Sequence, residues 1–283
     1  MRYYKNTTDT TTVTSSETKP PGMRELPVIF GNNGIKLNGK IVLPEQASTS
    51  SPVPGAVFCH GFGSDHKVME SSALLLAKKG IATIIFDFRG HGSSEGSLDG
   101  NFTEDTVDAW GVLTDFPEVD SSRIAIIGHS LGAISSILAA IKIKRSPKAL
   151  IALSCPSEVR GTLFEKLPLK LLQFIRRLAA IIGKHVIWFN GLKVNVDWKR
   201  FLESWMQINI SSALMELEEC AKLFVFSASD PLSPYRRFAP IYETIPGHKQ
   251  KIVTRGSHVT PVAAEIIRYE WIGWVVSALN SPK

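Results

Sequence analysis

The chain has 283 residues, 44% of them hydrophobic, and a formal net charge of +6. This length supports one large core, so a single α/β domain with an insertion accounts for the chain without a second independent domain. No apolar run approaches the roughly 18 residues that cross a membrane, and the residues after Arg2 lack the apolar stretch of a signal peptide. We therefore expect a cytoplasmic protein.

Three cysteines, Cys59, Cys155 and Cys220, show neither paired spacing nor a zinc pattern, which fits a reducing compartment. The seven histidines are scattered singly, so we expect no metal site. Nine threonines and serines crowd into positions 7–18, and little apolar material lies in residues 1–22. This composition predicts a disordered N-terminal tail.

The first regular elements are predicted to form an antiparallel hairpin at the edge of a sheet. Three short apolar segments alternate with two turn-like segments, Gly31 to Gly34 and Asn38-Gly39. The apolar segments are Val28 to Phe30, Ile35 to Leu37 and Lys40 to Leu43. An Asn-Gly pair between apolar residues is a strong turn signal, so we expect a turn at Asn38-Gly39.

Four continuous apolar runs follow: Ala56 to Cys59, Ile81 to Asp87, Ile124 to Gly128 and Ala149 to Ser154. Each is too short for a helix, and helical patterns separate them, which is typical of parallel strands buried on both faces. The predicted fold class is therefore α/β, with a doubly wound, mostly parallel sheet. A final helix from about Pro261 to Leu279 is expected to pack back on this sheet.

The pentapeptide Gly128-His129-Ser130-Leu131-Gly132 lies between the apolar run Ile124 to Ile127 and the helix-like Ala133 to Ile141. A serine on so tight a strand-to-helix turn projects its hydroxyl above the sheet, and the small residues let the backbone pass. The pattern predicts a nucleophile elbow at Ser130.

Asp230 and His258 are the predicted partners of that serine. Asp230 ends the strand-like run Leu223 to Ser229, and His258 lies in a loop between Lys251 to Val253 and the last helix. The chain order Ser, Asp, His is the order found when each residue follows a successive strand of such a sheet. A histidine in this loop can reach back to the serine as its base.

A glycine-rich loop after Val57 to Cys59 supplies the fourth part of the site, with the sequence His60-Gly61-Phe62-Gly63-Ser64. Acyl transfer needs backbone N–H donors aimed at the developing oxyanion, and glycines let the main chain come close. We expect the N–H groups of Phe62 and Leu131 to form this oxyanion hole.

These motifs, with Asp87-Phe88-Arg89-Gly90-His91-Gly92-Ser93-Ser94, resemble the α/β-hydrolase family over about Leu26 to Leu279. Within the family the sequence is most similar to the serine esterase and acylglycerol lipase group that includes cinnamoyl and feruloyl esterases. The resemblance implies that Ser130 is the nucleophile, His258 the general base and then acid, and Asp230 the carboxylate that fixes the imidazole tautomer. It implies structural roles for His60, Asp87, Arg89 and His91.

Between Pro156 and about Leu217 the strand pattern fails, and Leu167 to Ile182 and Val186 to Phe189 are apolar stretches that we interpret as helical. The resemblance implies a helical lid here, so the predicted division is a tail at 1–22, a core at 23–155 and 218–283, and a lid at 156–217. From Pro156 to Ile210, nine lysines and arginines oppose four acidic residues. Most of the chain's excess positive charge therefore belongs to the lid.

Two interpretations of the lid remain open. Lys170, Gln173, Arg177 and Lys184 fall near one helical face, which fits a helix buried against the acyl pocket with a solvated basic edge. The same residues fit weak contact with an anionic membrane surface, where each Lys or Arg contributes about 1 kcal/mol. No basic run is interleaved with stacking aromatic residues, so nucleic acid is not an expected partner.

The predicted activity is hydrolysis of carboxylic esters with apolar acyl or aryl groups, through an acyl-enzyme on Ser130 and without a cofactor. A serine at position 130 argues against the relatives that use an aspartate nucleophile. Thioesterase and serine aminopeptidase activities fit the same triad. A ligand-binding receptor with low turnover is a third alternative.

Overall fold

The computed structural model describes residues 2–6, 9–13, 22–31, 33–157, 184–189 and 191–281. The strands are β1 (Arg2–Asn6), β2 (Asp9–Val13), β3 (Met23–Phe30), β4 (Leu37–Pro44), β5 (Val53–Cys59), β6 (Ala82–Phe86), β7 (Val119–His129), β8 (Ala149–Leu153), β9 (Lys184–Phe189), β10 (Leu192–Asp197), β11 (Ala221–Ser227) and β12 (Lys249–Thr254). The helices within these ranges are α1 (Lys67–Lys78), α2 (Phe102–Thr114), α3 (Leu131–Lys142), α4 (Trp198–Trp205), α5 (Ile210–Met215), α6 (Tyr235–Thr244), α7 (Thr260–Ala263) and α8 (Glu265–Asn280).

Ten strands form one sheet in the order β1-β2-β3-β4-β6-β5-β7-β8-β11-β12. The strands from β1 to β4 pair antiparallel, and β4 also pairs antiparallel with β6. All pairings from β6 to β12 are parallel. The predicted α/β class, with a doubly wound, mostly parallel sheet and an antiparallel hairpin at its N-terminal edge, is confirmed.

The strand order reverses at β5. The chain passes from β5 through α1 to β6 on one side, and then through α2 to β7 on the other side of β5. Such a reversal opens a crevice at the carboxyl ends of the two adjacent strands, where open α/β sheets bind ligands. Strands β5 and β7 end there at Cys59 and His129.

Helices cover both faces of the sheet. On one face, alternate strand residues such as Val57 and Ile126 pack in a core that includes residues of α2 and α3. On the other face, Phe58 and Ile127 pack with residues of α1 and α8, including the fully buried Trp271. Burial on both faces explains why these strands are continuous apolar runs.

The turn predicted at Asn38-Gly39 is wrong, because both residues lie inside β4 and the connection from β3 spans residues 31–36. Gly39 instead allows β4 to lie close to β6, since a Cβ there would lie 2.7 Å from the carbonyl oxygen of Ile85. The N-terminal segment also differs from the predicted tail, because β1 and β2 pair with each other and β2 pairs with β3. The β-branched threonines that suggested disorder also favour strands.

Much of the predicted lid, including Leu167 to Ile182, lies outside the described residues. Val186 to Phe189 is not helical, because β9 and β10 form a two-stranded hairpin. Phe189 pairs with Leu192 at one end of this hairpin. The sequence between them is Asn-Gly, a pair typical of hairpin turns. The hairpin contacts the loop after β6, where the N–H groups of Leu98 and Asn195 donate to the carbonyls of Asn195 and Gly90, both at 2.8 Å.

The final helix is interrupted. Helix α7 ends at Ala263, and Ala264 takes an extended conformation before α8 begins. Over the ranges that the structure covers, no helix is long and apolar enough to cross a membrane. The three cysteines are buried and unpaired.

Candidate active site

Ser130 lies directly between β7 and α3 with φ 54° and ψ −113°. A non-glycine residue with positive φ is strained, and such strain collects at functional sites. The two glycines of the pentapeptide allow this turn: a Cβ on Gly128 would lie 2.1 Å from the Gly132 carbonyl oxygen, and one on Gly132 would lie 2.1 Å from the Cys59 carbonyl oxygen. The elbow therefore packs its helix directly against the end of β5.

Asp230 and His258 come together beside the same edge of the sheet. Asp230 follows β11, His258 follows β12, and the Nδ1 atom of His258 lies 2.7 Å from Oδ2 of Asp230. Since an ionised carboxylate only accepts, Nδ1 carries the proton and Nε2 has its lone pair available in the neutral ring. This is the tautomer that a general base needs.

Asp230 is held ionised by its surroundings. Burial opposes its charge, but the hydrogen bond with His258 and the main-chain N–H groups of Ser233 and Leu232 outweigh burial and lower the pKa of the carboxyl. The two N–H groups donate to Oδ1 at 3.0 and 2.8 Å, so each carboxylate oxygen has its own partners. Asp230 is thus fixed in orientation as well as in charge.

Ser130 and His258 are not joined by a hydrogen bond, in contrast to His258 and Asp230. Although both residues belong to the part of the chain that the structure describes, no hydrogen bond between the Ser130 hydroxyl and the imidazole is formed. In unliganded enzymes this bond is often long and shortens when substrate binds. The main chain of Ser130 is nevertheless fixed, because its N–H donates to the carbonyl of Leu153 at 2.9 Å.

The loop that carries Phe62 lies against the elbow. A Cβ on Gly61 would lie 2.9 Å from Nδ1 of His129, the residue before Ser130. Leu131 is the first residue of α3, so its N–H group belongs to the positive end of a helix. The structure therefore brings the two predicted oxyanion segments together.

Two buried histidines support this loop. The N–H of Gly63 donates to Nε2 of His91 at 3.3 Å, and the N–H of Phe88 donates to Nε2 of His60 at 3.1 Å. Burial lowers the pKa of His60 to about 4 and that of His91 to about 3, so both rings are neutral acceptors. Their contacts are with the backbone, in line with the structural roles expected from the sequence.

Asp87 and Arg89 hold the neighbouring loop. The Oδ1 atom of Asp87 accepts from the N–H of His66 and lies 2.7 Å from its Nδ1, while Oδ2 accepts from the N–H of Ser93 at 2.9 Å. Burial opposes the charge on Asp87, but these hydrogen bonds outweigh it and lower the pKa. Arg89 binds the buried Asp105, a partner that the sequence analysis did not identify.

An aromatic cluster from α4 packs on the side chain of Phe62. The ring of Phe62 lies 6.5 Å from that of Trp198 and 6.4 Å from that of Phe201, and Phe201 lies 5.2 Å from Trp205. These three α4 residues fall on one helical face. The segment that follows the β9–β10 hairpin thus places apolar side chains beside the loop that carries Phe62.

Sequence reasoning missed His129 and Ser154. The Ser154 hydroxyl donates to the main-chain carbonyl of His258 at 2.7 Å, and Nε2 of His129 lies 3.1 Å from the same oxygen. His129 stands inside the recognised pentapeptide, but nothing in the sequence shows which atom it contacts. Ser154 is distinguished only by its place at the end of β8.

Comparison with known proteins gives the family. The model of the Alpha/beta hydrolase family matches residues 56–265. The chain is 31% identical to the thiohydrolase aneE of Aspergillus aculeatus over 53% of this chain and 47% of that protein. It is 23% identical to the putative esterase YitV of Bacillus subtilis over 77% of this chain and 88% of that protein.

The structure of Est1E from Butyrivibrio proteoclasticus with bound ferulic acid has a TM-score of 0.73 at 19% identity, covering 89% of this chain and 99% of that one. This likeness shows a common fold. The chain spans 61% or less of the length of the first curated relatives that it matches. Because the family model matches residues 56–265, which is most of the chain, the chain belongs to the alpha/beta hydrolase family.

Proposed function

We propose that this protein is a serine hydrolase that cleaves carboxylic esters of apolar acyl or aryl groups. The observation that carries the proposal is the strained Ser130 elbow together with the 2.7 Å contact between His258 and Asp230. Each residue stands at the carboxyl end of a strand in one sheet. This arrangement supports acyl transfer through a triad of Ser130, His258 and Asp230.

In the proposed reaction, the Ser130 Oγ attacks the ester carbonyl carbon while Nε2 of His258 takes the hydroxyl proton. The oxyanion accepts hydrogen bonds from the N–H groups of Phe62 and Leu131. The imidazolium then gives its proton to the departing alcohol as the C–O bond breaks, which leaves an acyl-enzyme. Water attacks this ester, its proton passes to His258, and the acid leaves as the proton returns to Ser130.

Apolar packing supports the choice of substrate. Trp198 and Phe201 of α4 lie against Phe62. An acyl or aryl group bound beside the loop that carries Phe62 therefore meets aromatic side chains. Each methylene buried there contributes about 0.8 kcal/mol. These contacts favour the interpretation of the lid as the roof of the acyl pocket.

A thioester substrate is the second candidate. The relatives include the thiohydrolase aneE and the human mitochondrial acyl-coenzyme A thioesterase 2, which is 28% identical over 52% of this chain and 29% of that protein. The same nucleophile and oxyanion hole act on both classes, because only the leaving atom differs. Parallel panels of p-nitrophenyl esters and acyl thioesters with matched chain lengths separate them.

The test is active-site labelling with a fluorophosphonate, followed by both substrate panels. The wild-type protein is expected to be labelled on Ser130 and to turn over at least one panel. Ser130→Ala is expected to lose labelling and nearly all turnover, because catalysis without a triad member retains only about 10³–10⁴-fold over water. A wild-type protein that binds an ester yet is neither labelled nor active supports the receptor alternative.

A further inference from the structure

The main-chain carbonyl of His258 is held by two side chains from neighbouring strands. The Ser154 hydroxyl donates to this oxygen at 2.7 Å, and Nε2 of His129 lies 3.1 Å from it. A carbonyl oxygen cannot donate, so Nε2 of His129 must carry the proton. We propose that Ser154 and His129 are positioning residues that fix the catalytic imidazole of His258 relative to Ser130.

The loop that carries His258 has little other support from the sheet. Its neighbours Ser257 and Val259 are exposed, and its local hydrogen bonds join Ser257 to Thr260 and Val259 to Val262 and Ala263. These bonds hold the loop to the start of α7. The bonds to the His258 carbonyl instead connect the loop to the centre of the sheet.

The two donors also belong to the segments that hold the nucleophile. His129 immediately precedes Ser130, and Ser154 immediately follows Leu153, whose carbonyl accepts the N–H of Ser130 at 2.9 Å. Nucleophile and base therefore share one support at the ends of β7 and β8. With Asp230 on the imidazole and the two donors on the carbonyl, His258 is fixed at both its side chain and its main chain.

The conformation of Ser154 supports a specific role. Its φ is 48°, in the region that only glycine adopts without strain, and its own N–H donates to the Val225 carbonyl at 2.8 Å. This bond between β8 and β11 holds the main chain while the hydroxyl points to His258. Strained non-glycine residues persist where the surroundings over-determine them, often at functional sites.

The chemistry of His129 fits a donor beside a base. Burial is the main cause that lowers its pKa to about 4, and the neighbouring His258 contributes, so His129 is neutral. The two rings lie 5.0 Å apart between centroids. A neutral donor holds the His258 carbonyl without opposing the positive charge that forms on His258 during catalysis, whereas lysine or arginine would oppose it.

This inference rests on the proposed function, and its first test compares Ser154→Ala and His129→Phe with the wild type. Each variant removes one donor, and we expect kcat to fall about ten- to a hundredfold because misplacing a catalytic group by about 1 Å costs on the order of 100-fold. KM is expected to change little, since ground-state binding is retained. His129→Gln, which restores an N–H donor, is expected to recover part of kcat.

Ser135→Ala is the matched control. Its buried hydroxyl also donates to a main-chain carbonyl, that of Phe102 at 2.9 Å, but has no bond to His258. The control is expected to lose similar stability and to keep its kcat. If Ser154→Ala and His129→Phe fold and match the control in kcat, or if KM alone changes, the positioning role is wrong.

An NMR measurement separates this inference from the proposed function. We expect the imidazole signals of His258 to be sharp in the wild type and in Ser135→Ala, and to broaden in Ser154→Ala and His129→Phe as the ring becomes mobile. Unchanged signals in both variants would overturn the positioning role. If the wild type reacts with no fluorophosphonate, the proposed function fails, and the NMR result still decides whether these side chains hold His258.

Discussion

The guanidinium group of Arg89 and the carboxylate of Asp105 form a buried, charge-assisted contact. Nε and Nη2 of Arg89 donate to Oδ1 at 2.8 and 2.6 Å, and the main-chain N–H of Arg89 donates to Oδ2 at 2.9 Å. The pair fastens the loop after β6 to α2. This loop also carries His91, which contacts Gly63, and it contacts the β9–β10 hairpin. The pair therefore holds in place a loop that borders the candidate site.

Asp105→Asn is expected to destabilise the protein by about 3–5 kcal/mol, because it leaves a buried guanidinium without its main counter-charge. Urea unfolding at pH 7.5 measures the change. Glu104→Gln is the control, since its pair with Lys142 is solvent-exposed and should be worth less than about 1 kcal/mol. Equal effects of the two variants would mean that burial of the Arg89 pair has no energetic consequence.

Asp230→Asn is expected to lower kcat by about 10⁴-fold while the protein stays folded, because an amide in place of the carboxylate no longer selects the productive tautomer of His258. Turnover of the best ester and circular dichroism measure the two effects. Asp197→Asn is the comparison, since Asp197 caps α4 by accepting the N–H of Arg200 at 3.2 Å. Greater loss of activity in Asp197→Asn would place the catalytic acid in the lid.

Three buried neutral histidines predict loss of stability in mild acid. Burial lowers the pKa of His60 and His129 to about 4 and that of His91 to about 3, against about 6.5 in an unfolded chain. Between pH 6.5 and 4 the unfolded chain therefore binds protons that the native protein does not. The free energy of unfolding should fall by about 1.4 kcal/mol per pH unit for each histidine.

Urea unfolding at pH 7.5, 6.5, 5.5 and 4.5 measures this dependence. The full contribution of the three neutral histidines to the free energy of unfolding is expected above pH 6.5. It is lost progressively as the pH falls towards 4. Imidazole NMR signals of the three histidines should not titrate between pH 8 and 5 in the native protein. A free energy of unfolding that stays constant over this range would contradict the prediction, because it requires all three rings to bind protons in the folded protein as readily as in the unfolded chain.

Trp198→Ala is expected to reduce kcat/KM for esters of long or aryl acyl groups by about ten- to a hundredfold more than for acetate esters, because it removes apolar contact worth about 1–3 kcal/mol. A panel of p-nitrophenyl esters of graded chain length measures this selectivity. Trp188→Ala is the matched control, since Trp188 on β9 is 73% exposed. An equal loss for all chain lengths would place Trp198 outside the acyl pocket.

The positions of the parallel strands and of the elbow followed from local sequence. Continuous apolar runs indicated strands buried on both faces, and Gly128 and Gly132 marked a turn that no larger side chain allows. These features depend on residues close together in the chain, so their physical causes are visible in the sequence. The same reasoning predicted that Asp230 and His258 would follow successive strands, and the structure brings them into contact.

Local patterns were misleading where distant packing decides the outcome. Asn38-Gly39 has the composition of a turn, but pairing with β6 draws it into β4. Val186 to Phe189 is apolar enough for a helix, yet its pairing with β10 makes it a strand.

Residue type, spacing and chain order are enough to indicate the α/β class, the elbow and the candidate triad. The groups that surround those residues are known only from the three-dimensional packing. Ser154 and His129 reach the His258 carbonyl across sequence separations of 104 and 129 residues, and Arg89 meets Asp105 through the packing of α2. Such contacts are set by the three-dimensional path of the backbone, so no local pattern encodes them.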